Sequence, residues 1–472
     1  MWALILVFLI SLPAVTTRIN ASDEIQFFSW LHSWTFDRDA DFDNEYRYFF
    51  NVGPDRYPGF AATFLDATNE AGRRPNFAPI GSAVLWLPFY AVGHVVAGFS
   101  GAATDGFSHP YVAAVAYGSA LYGLLALLLS ASIVRHLIGR GGLAASTVVW
   151  LGTPLIFYMY VAPGFSHACS AFAVALLIRV WLHVRDRWSV PGVVALGLCA
   201  ALLAMVREQD AFFALGPAID FARWSWQRLP GSVRPTARAS QLWPAAMRAF
   251  AGTVAFLLAY TPQLMAYQAL NGAWRPDDKV ARKMTWTSPH FFEVLLSPEH
   301  GLLLWTPLAL FAIAGLAWLA VSGLATAGRG PHRASHPDVA WIASLMLLMV
   351  ALQVYVSGSV ESWTVAGAFG QRRFVALTPL LALGLAALAP PAGAMWPRRS
   401  LTCGLAAVLI WWNLGLMAQF GLHLMDRQRL SLAHNARVSF VDLPRMAPAI
   451  AVRYLTDRES FYGLPREPVP AP

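Results

Sequence analysis

Apolar residues in this chain come in long runs, not in the alternating or one-faced patterns of a water-soluble fold. The runs fall near 2–16, 78–99, 110–134, 143–162, 168–184, 190–206, 211–222, 249–270, 301–323, 339–357, 374–390 and 401–424. Most approach the ~20 residues needed to cross ~30 Å of hydrocarbon at 1.5 Å per residue. The pattern predicts an all-α integral membrane protein. A polytopic domain of about eleven or twelve hydrophobic helices covers 1–424 with an outer loop at 17–77, and a non-membrane tail covers 425–472. Residues 2–15 read as a retained first span and not a cleaved signal, because no Lys or Arg precedes them.

Cations in short loops mark the cytoplasmic side. Arg135 with Arg140, Arg185 with Arg187, the group Arg223, Arg228, Arg234, Arg238 and Arg248, Arg329 with Arg333, and Arg398 with Arg399 are expected on one side. Twelve full crossings would put the first pair on the wrong side, so one segment must not cross. The segment at 78–99 holds Pro79, Pro88 and His94 and is expected to be re-entrant or interfacial. The outer surfaces are then 17–77, the turn at 163–167, 207–210, 271–300, 358–373 and the tail, whose last ten residues are expected to be mobile.

Composition agrees with this reading. Hydrophobic residues make up 57% of the chain and charged residues only 13%, about half the charged share of a soluble domain. The net charge of +8 is accounted for by cytoplasmic loops and lipid headgroups, so no nucleic-acid partner is expected. Cys169, Cys199 and Cys403 sit in apolar runs without metal-ligand spacing, and no Walker loop, GxSxG or dinucleotide fingerprint occurs.

Candidate chemistry collects at the outer surfaces. Asp23 and Glu24 follow the first span directly, with Ser22 placed to cap a helix whose first turn they occupy. Either the pair serves that helix, or one carboxylate at the hydrocarbon boundary takes a proton from a sugar hydroxyl. Neighbouring helical residues diverge, so only one can face an acceptor: Asp23 is preferred, with Glu24 the alternative. Asp37, Asp39, Asp41, Asp43 and Glu45 have calcium-loop spacing, but Phe42 and Tyr48 stand where a calcium loop needs Gly and Glu. A solvated acidic turn, and no metal, is expected there.

Arg207, in MVREQD, is either a phosphate ligand or the partner of Glu208 or Asp210. Arg372 and Arg373 close an outer aromatic loop against the positive-inside trend, which a lipid phosphate would explain. His167, His300, Lys279 and Arg282 complete the candidate donor-binding set, although a lone histidine at a span end is more often a packing residue.

The order of ASDEIQFF, NFAPIGSAVLWLPFY, PLIFYMYVAPGFSHA, LLAMVREQDAFFAL, SPEHGLLLWTPL and GAFGQRRFVALTPL resembles the GT-C superfamily of membrane glycosyltransferases. The likeness is to its bacterial branch, related to protein mannosyltransferases and lipid A aminoarabinose transferases, over about residues 1–390. The resemblance implies a GT-C-like helix bundle with juxtamembrane helices in the loop after the first span. It also implies a polyprenyl-phosphate-linked sugar donor, inversion at the anomeric carbon, Asp23 as base with Glu24 beside it, and no cofactor. The acceptor would be a lipid, glycan or protein on the periplasmic face of the cell (inner) membrane. Two departures stand out: residues 163–167 hold no carboxylate where many relatives have a second acid, and Ala78-Pro79-Ile80 replaces a Tyr-Pro-Pro type start. A transporter or lipid flippase, or a catalytically silent scaffold of the same fold, would share the polytopic pattern. A transporter, however, would concentrate charge at mid-membrane in two related halves.

Overall fold

The computed structural model describes residues 2–52, 59–228, 235–322, 336–365, 367–391, 393 and 395–461. It is helical throughout, with no β-strand among the described residues and a single isolated bridge, Met284 to Val360. The α-helices are α1 (Trp2–Ser11), α2 (Ser22–His32), α3 (Asp43–Val52), α4 (Gly81–Ser100), α5 (His109–Leu137), α6 (Gly142–Gly152), α7 (Leu155–Tyr160), α8 (His167–Val184), α9 (Val190–Val206) and α10 (Leu215–Gln227). They continue as α11 (Pro235–Asn271), α12 (Asp278–Arg282), α13 (Phe291–Leu296), α14 (Leu302–Trp305), α15 (Leu308–Ser322), α16 (His336–Gly358), α17 (Thr378–Leu388), α18 (Trp396–Gly421), α19 (Leu432–Arg437) and α20 (Leu443–Thr456). Among the described residues six helices are long and apolar enough to cross a membrane, and four shorter apolar helices accompany them. The chain is a multi-pass membrane protein.

Lipid offers helices no hydrophobic reason to associate, so close backbone approach and buried polar contacts must hold them together. Gly384 of α17 faces the backbone of Ala312 in α15, and Gly315 faces that of Gly384, leaving no room for a Cβ on either. Gly197 of α9 abuts Gly252 of α11 in the same way. At the lower end of the bundle, buried Asp220 of α10 accepts hydrogen bonds from Arg185 Nε (3.0 Å), Trp181 Nε1 (2.9 Å) and Trp341 Nε1 (2.8 Å). One carboxylate thereby joins α8, α10 and α16. Arg140 closes the same end by donating to the Pro390 carbonyl at 2.6 Å.

Several expected segments change shape. The run at 143–162 breaks at Thr153-Pro154 into α6 and α7, and Asn413 Nδ2 donates to the freed carbonyls of Leu151 (2.9 Å) and Thr153 (3.0 Å). The runs at 211–222 and 374–390 each begin with a 3-10 turn, Glu208–Ala214 and Arg372–Leu377. The tail folds back as α19, a π-turn and α20. The expectations for Arg234, for Arg329 with Arg333 and for the last ten residues lie outside the described residues, as does the side chain of Arg238.

The expectation for 78–99 needs correcting in form. It is not a re-entrant hairpin but one continuous helix, α4, of 20 residues with Pro88 inside. It runs against the upper half of α5 only: Tyr122 Oη donates to the Leu85 carbonyl (2.9 Å), the Phe89 ring covers Gly118, and Gly93 meets Pro110 and Tyr111. Beyond the last of these contacts α5 continues to Leu137. By length and composition α4 is one of the six helices able to cross a membrane. Arg140, Arg185 and Asp220 lie towards the other end of α5 and α8.

Gly81 opens α4 against the Met205–Val206 peptide, where an added Cβ would overlap backbone atoms. Gly81→Ala is therefore expected to lower the thermal midpoint in detergent, with an overpacking cost of about 1–3 kcal/mol. Gly98→Ala, where a Cβ meets nothing within 4 Å, is expected to be neutral or stabilising by up to ~1 kcal/mol. Equal midpoints for the two variants would show that α4 does not bear on the end of α9.

Candidate active site

The start of α2 separates its two acids. Ser22 does not cap the helix: it is the first helical residue, and Ala21 holds the cap position without a side-chain bond. The reach-back is made by Glu24, whose Oε2 accepts from the Asn20 N–H at 2.6 Å while Oε1 accepts from the Gly164 N–H at 3.1 Å. Glu24 is fully buried and clamps α2 onto the turn at 163–167. Burial pushes its carboxyl up to about 8, against the pull of the Asn20, Gly164 and Ala21 N–H groups, with neighbouring Asp23 adding a smaller upward push. Asp23, about 100° further round the helix, has a side chain 42% exposed and meets Arg372 Nη1 through Oδ2 at 2.8 Å.

Arg372 begins a 3-10 turn, lies over the Phe165 ring (5.1 Å to the centroid) and brings Arg373 behind it. Arg373, 8% exposed, donates to the Ser362 carbonyl (3.0 Å) and Oγ (3.2 Å) and feels the charges of Arg372, Arg207 and Asp23. Arg207 stands where α9 gives way to extended backbone. Its Nη1 donates to His167 Nδ1 (2.8 Å), its Nη2 to Gln209 (3.1 Å), and its Nε lies 3.4 Å from Asp210 Oδ2. Thus Asp23, Arg207, Arg372, Arg373 and His167 come together, with His167 orienting Arg207.

Other expected ligands do not join this group. His300 is buried, stacks on Trp305 (4.5 Å between centroids) and uses Nε2–H on the Ala368 carbonyl at 2.9 Å. Burial lowers its ring to about 4, so it is a neutral brace for the loop before Arg372. Lys279 and Arg282 lie exposed on α12, and no hydrogen bond or ion pair among the described residues connects them to the three arginines.

The sequence did not single out Ser170, which donates to buried Asp210 at 2.5 Å, or Tyr158, which bonds the Phe369 carbonyl at 3.1 Å. Tyr158 lies within electrostatic reach of Arg372 and Asp23. The acidic turn also departs from expectation: Glu45 is fully buried against His32, whereas Asp43 pairs with Arg47 and Arg74 at the surface. Helix spacing alone could not place His32, thirteen residues away, next to Glu45.

Beside the cluster opens an apolar cavity of about 640 Å³ between α1, α7, α18 and the tail. Asn20, Glu24 and Phe165 line its cluster side and Ile450, Tyr454 and Phe461 its far wall. The tail is held there by Arg458, which donates to the Pro13 carbonyl and to that of Ala14 (2.7 Å). The arrangement offers an exposed carboxylate, a cationic surface and a hydrocarbon-lined space side by side.

Among solved structures, the chain is similar to the archaeal oligosaccharyltransferase AglB from Archaeoglobus fulgidus, which was determined in complex with an inhibitory peptide and a dolichol-phosphate. The similarity covers 98% of this chain at 12% identity and a TM-score of 0.48, and the chain spans 59% of that protein's length. A likeness this distant decides neither fold nor chemistry, which rest on the geometry above. No family model matches the sequence. No curated protein matches it either.

A carboxyl whose folded value is raised favours the folded state below its unfolded value near 4.5 and loses that contribution as pH climbs through about 8. The thermal midpoint of the wild-type protein is therefore expected to fall between pH 4.5 and 8 relative to Glu24→Gln. Parallel curves for the two proteins would show that Glu24 ionises in place at no cost.

Proposed function

We propose that the chain is an inverting glycosyltransferase of the GT-C kind, moving a sugar from a polyprenyl-phosphate donor to a lipid, glycan or protein acceptor. The observation that carries this reading is the half-exposed Asp23 carboxylate, 2.8 Å from Arg372, whose chain neighbour Glu24 lines an apolar cavity together with Phe165, the ring over which Arg372 lies. The cavity suits a stretch of isoprenoid chain, which leaves the donor phosphate at the arginine cluster. Guanidinium forks match phosphate oxygens and stabilise the charge that grows there as the sugar departs.

In the transfer step the acceptor hydroxyl oxygen attacks the anomeric carbon from the face opposite the phosphate. The new carbon–oxygen bond forms as the anomeric carbon–phosphate oxygen bond breaks. The bonding pair leaves with the phosphate, and the hydroxyl proton passes to Asp23. Phosphate departs without an acid, so the second carboxylate of a glycosidase is not needed. Glu24, protonated by burial and bonded to backbone, holds the helix that aims Asp23. Arg372 holds the Asp23 carboxylate in the absence of donor and turns to the phosphate in its presence.

Arginine-bearing loops gather at the end opposite this site, which supports an extracytoplasmic, periplasmic active face on the cell (inner) membrane. Donor recognition rests on Arg207, Arg372 and Arg373, with His167 as a positioning residue.

The test is transfer of labelled sugar from a panel of polyprenyl-phosphate donors by membranes holding matched amounts of wild type and Asp23→Asn. Loss of a general base lowers the rate by about 10²–10⁴-fold, so that fall in kcat is expected with folding unchanged. Undiminished transfer by Asp23→Asn would remove Asp23 as base, and a wild type inert with every donor would sink the glycosyltransferase reading.

A further inference from the structure

The far end of α2 holds a second cluster of groups that the proposed transfer does not use. His32 ends the α-helical stretch, and Ser33–Asp37 continues it as a π-turn. In an α-helix residues five apart point about 140° away from each other. The wider π-turn, closed by i to i+5 bonds, returns Asp37 to the His32 side. His32 Nδ1 consequently lies 3.1 Å from Asp37 Oδ2 and 2.9 Å from Glu45 Oε1 of α3, with all three atoms within 4.8 Å of one another.

We propose that His32, Asp37 and Glu45 form a binding site for a divalent transition-metal ion of the zinc class. Three observations beyond the cluster itself point to a cation. Glu45 is fully buried, and its Oε2 has no hydrogen-bond partner among the described residues. A buried carboxylate oxygen without a donor is costly, and a cation removes that cost. His32 Nε2 lies 3.1 Å from the Asp105 carbonyl, an acceptor that fixes a proton on Nε2 and turns Nδ1 to the two carboxylates, between which only a cation, metal ion or proton, can sit. That is how backbone carbonyls orient metal-ligating histidines. The ring is also fixed between Phe36 (5.0 Å) and Phe107 (3.9 Å), so little ordering is left for the ion to impose.

The donor set selects the metal. One imidazole nitrogen with two carboxylates suits zinc with a water in the fourth position, whereas calcium and magnesium require six or more oxygens. Asp37, with a side chain 31% exposed, gives the ion a way in. The rival occupant of the same geometry is a proton, which makes His32 an imidazolium between two carboxylates. The site is nine residues, or about 14 Å, along α2 from Asp23. A metal there would tie α2, α3 and the loop at 105–107 together and stiffen the helix that carries the proposed base without touching the reaction.

The experiment uses the full chain in detergent with any affinity tag removed, stripped with chelator and titrated with zinc chloride alone. One equivalent should bind. Asp37→Asn and Glu45→Gln should each weaken binding at least tenfold, whereas Asp41→Asn, at an exposed position of the same acidic run, should leave it unchanged. Cobalt loaded in place of zinc should give the visible bands of a four-coordinate ion, and Asp37→Asn should lose them. If Glu45→Gln does not fold, Asp37→Asn at the partly exposed position decides the matter. No binding by wild type, or binding unaffected by Asp37→Asn, would overturn the metal and leave the protonated His32 in its place. None of these outcomes depends on whether sugar transfer is observed.

Discussion

A guanidinium next to hydrocarbon must find an anion, because leaving it unpaired costs several kcal/mol. The upper end of this bundle places Arg207, Arg372 and Arg373 together, and two nearby carboxylates answer them: Asp210 at 3.4 Å from Arg207 and Asp23 at 2.8 Å from Arg372. Three positive charges against two negative leave one cation in excess. Among the described residues Arg373 hydrogen-bonds the neutral oxygens of Ser362. That imbalance creates a demand for an anionic group, and Arg372 holds the Asp23 side chain at 2.8 Å while the demand is unmet.

The remainder of the structure keeps this charge arrangement in place. Glycines at the α9–α11 and α15–α17 crossings let backbones touch, which sets how the ends of those helices sit relative to each other. Gly81 against Met205–Val206 sets the height of Arg207 beside α4. Glu24 read as an alternative base and His167 and His300 as ligands in the sequence, yet Glu24 bonds the Gly164 amide, His167 bonds Arg207 and His300 bonds the Ala368 carbonyl. They serve the neighbours that do reach the opening. The tail has a comparable role, since Arg458 anchors it to the segment just before α2 and its apolar side closes the cavity.

Membrane class, helical content and the approximate positions of most helices were legible in the sequence, because both depend on local properties: run length against bilayer thickness, and loop charge against membrane side. Counting loop charges also led to the expectation that one segment does not cross, before any packing was known. Helix geometry showed that only one of Asp23 and Glu24 could face an acceptor, and the family resemblance put the base at Asp23. Tertiary structure decided which of the two points inward, through the Gly164 amide, 140 residues away in the chain. It decided that α4 lies along the upper half of α5 instead of doubling back, because Gly118 and Tyr122 offer it a groove. It also gathered three arginines from two distant segments, separated Lys279, Arg282 and His300 from them, and buried Glu45 beside His32. Sequence by itself determined what each stretch could be in a membrane, because hydration and helix periodicity act over a few residues. Which charges meet depends on contacts between segments far apart in the chain, and only the folded packing specifies those.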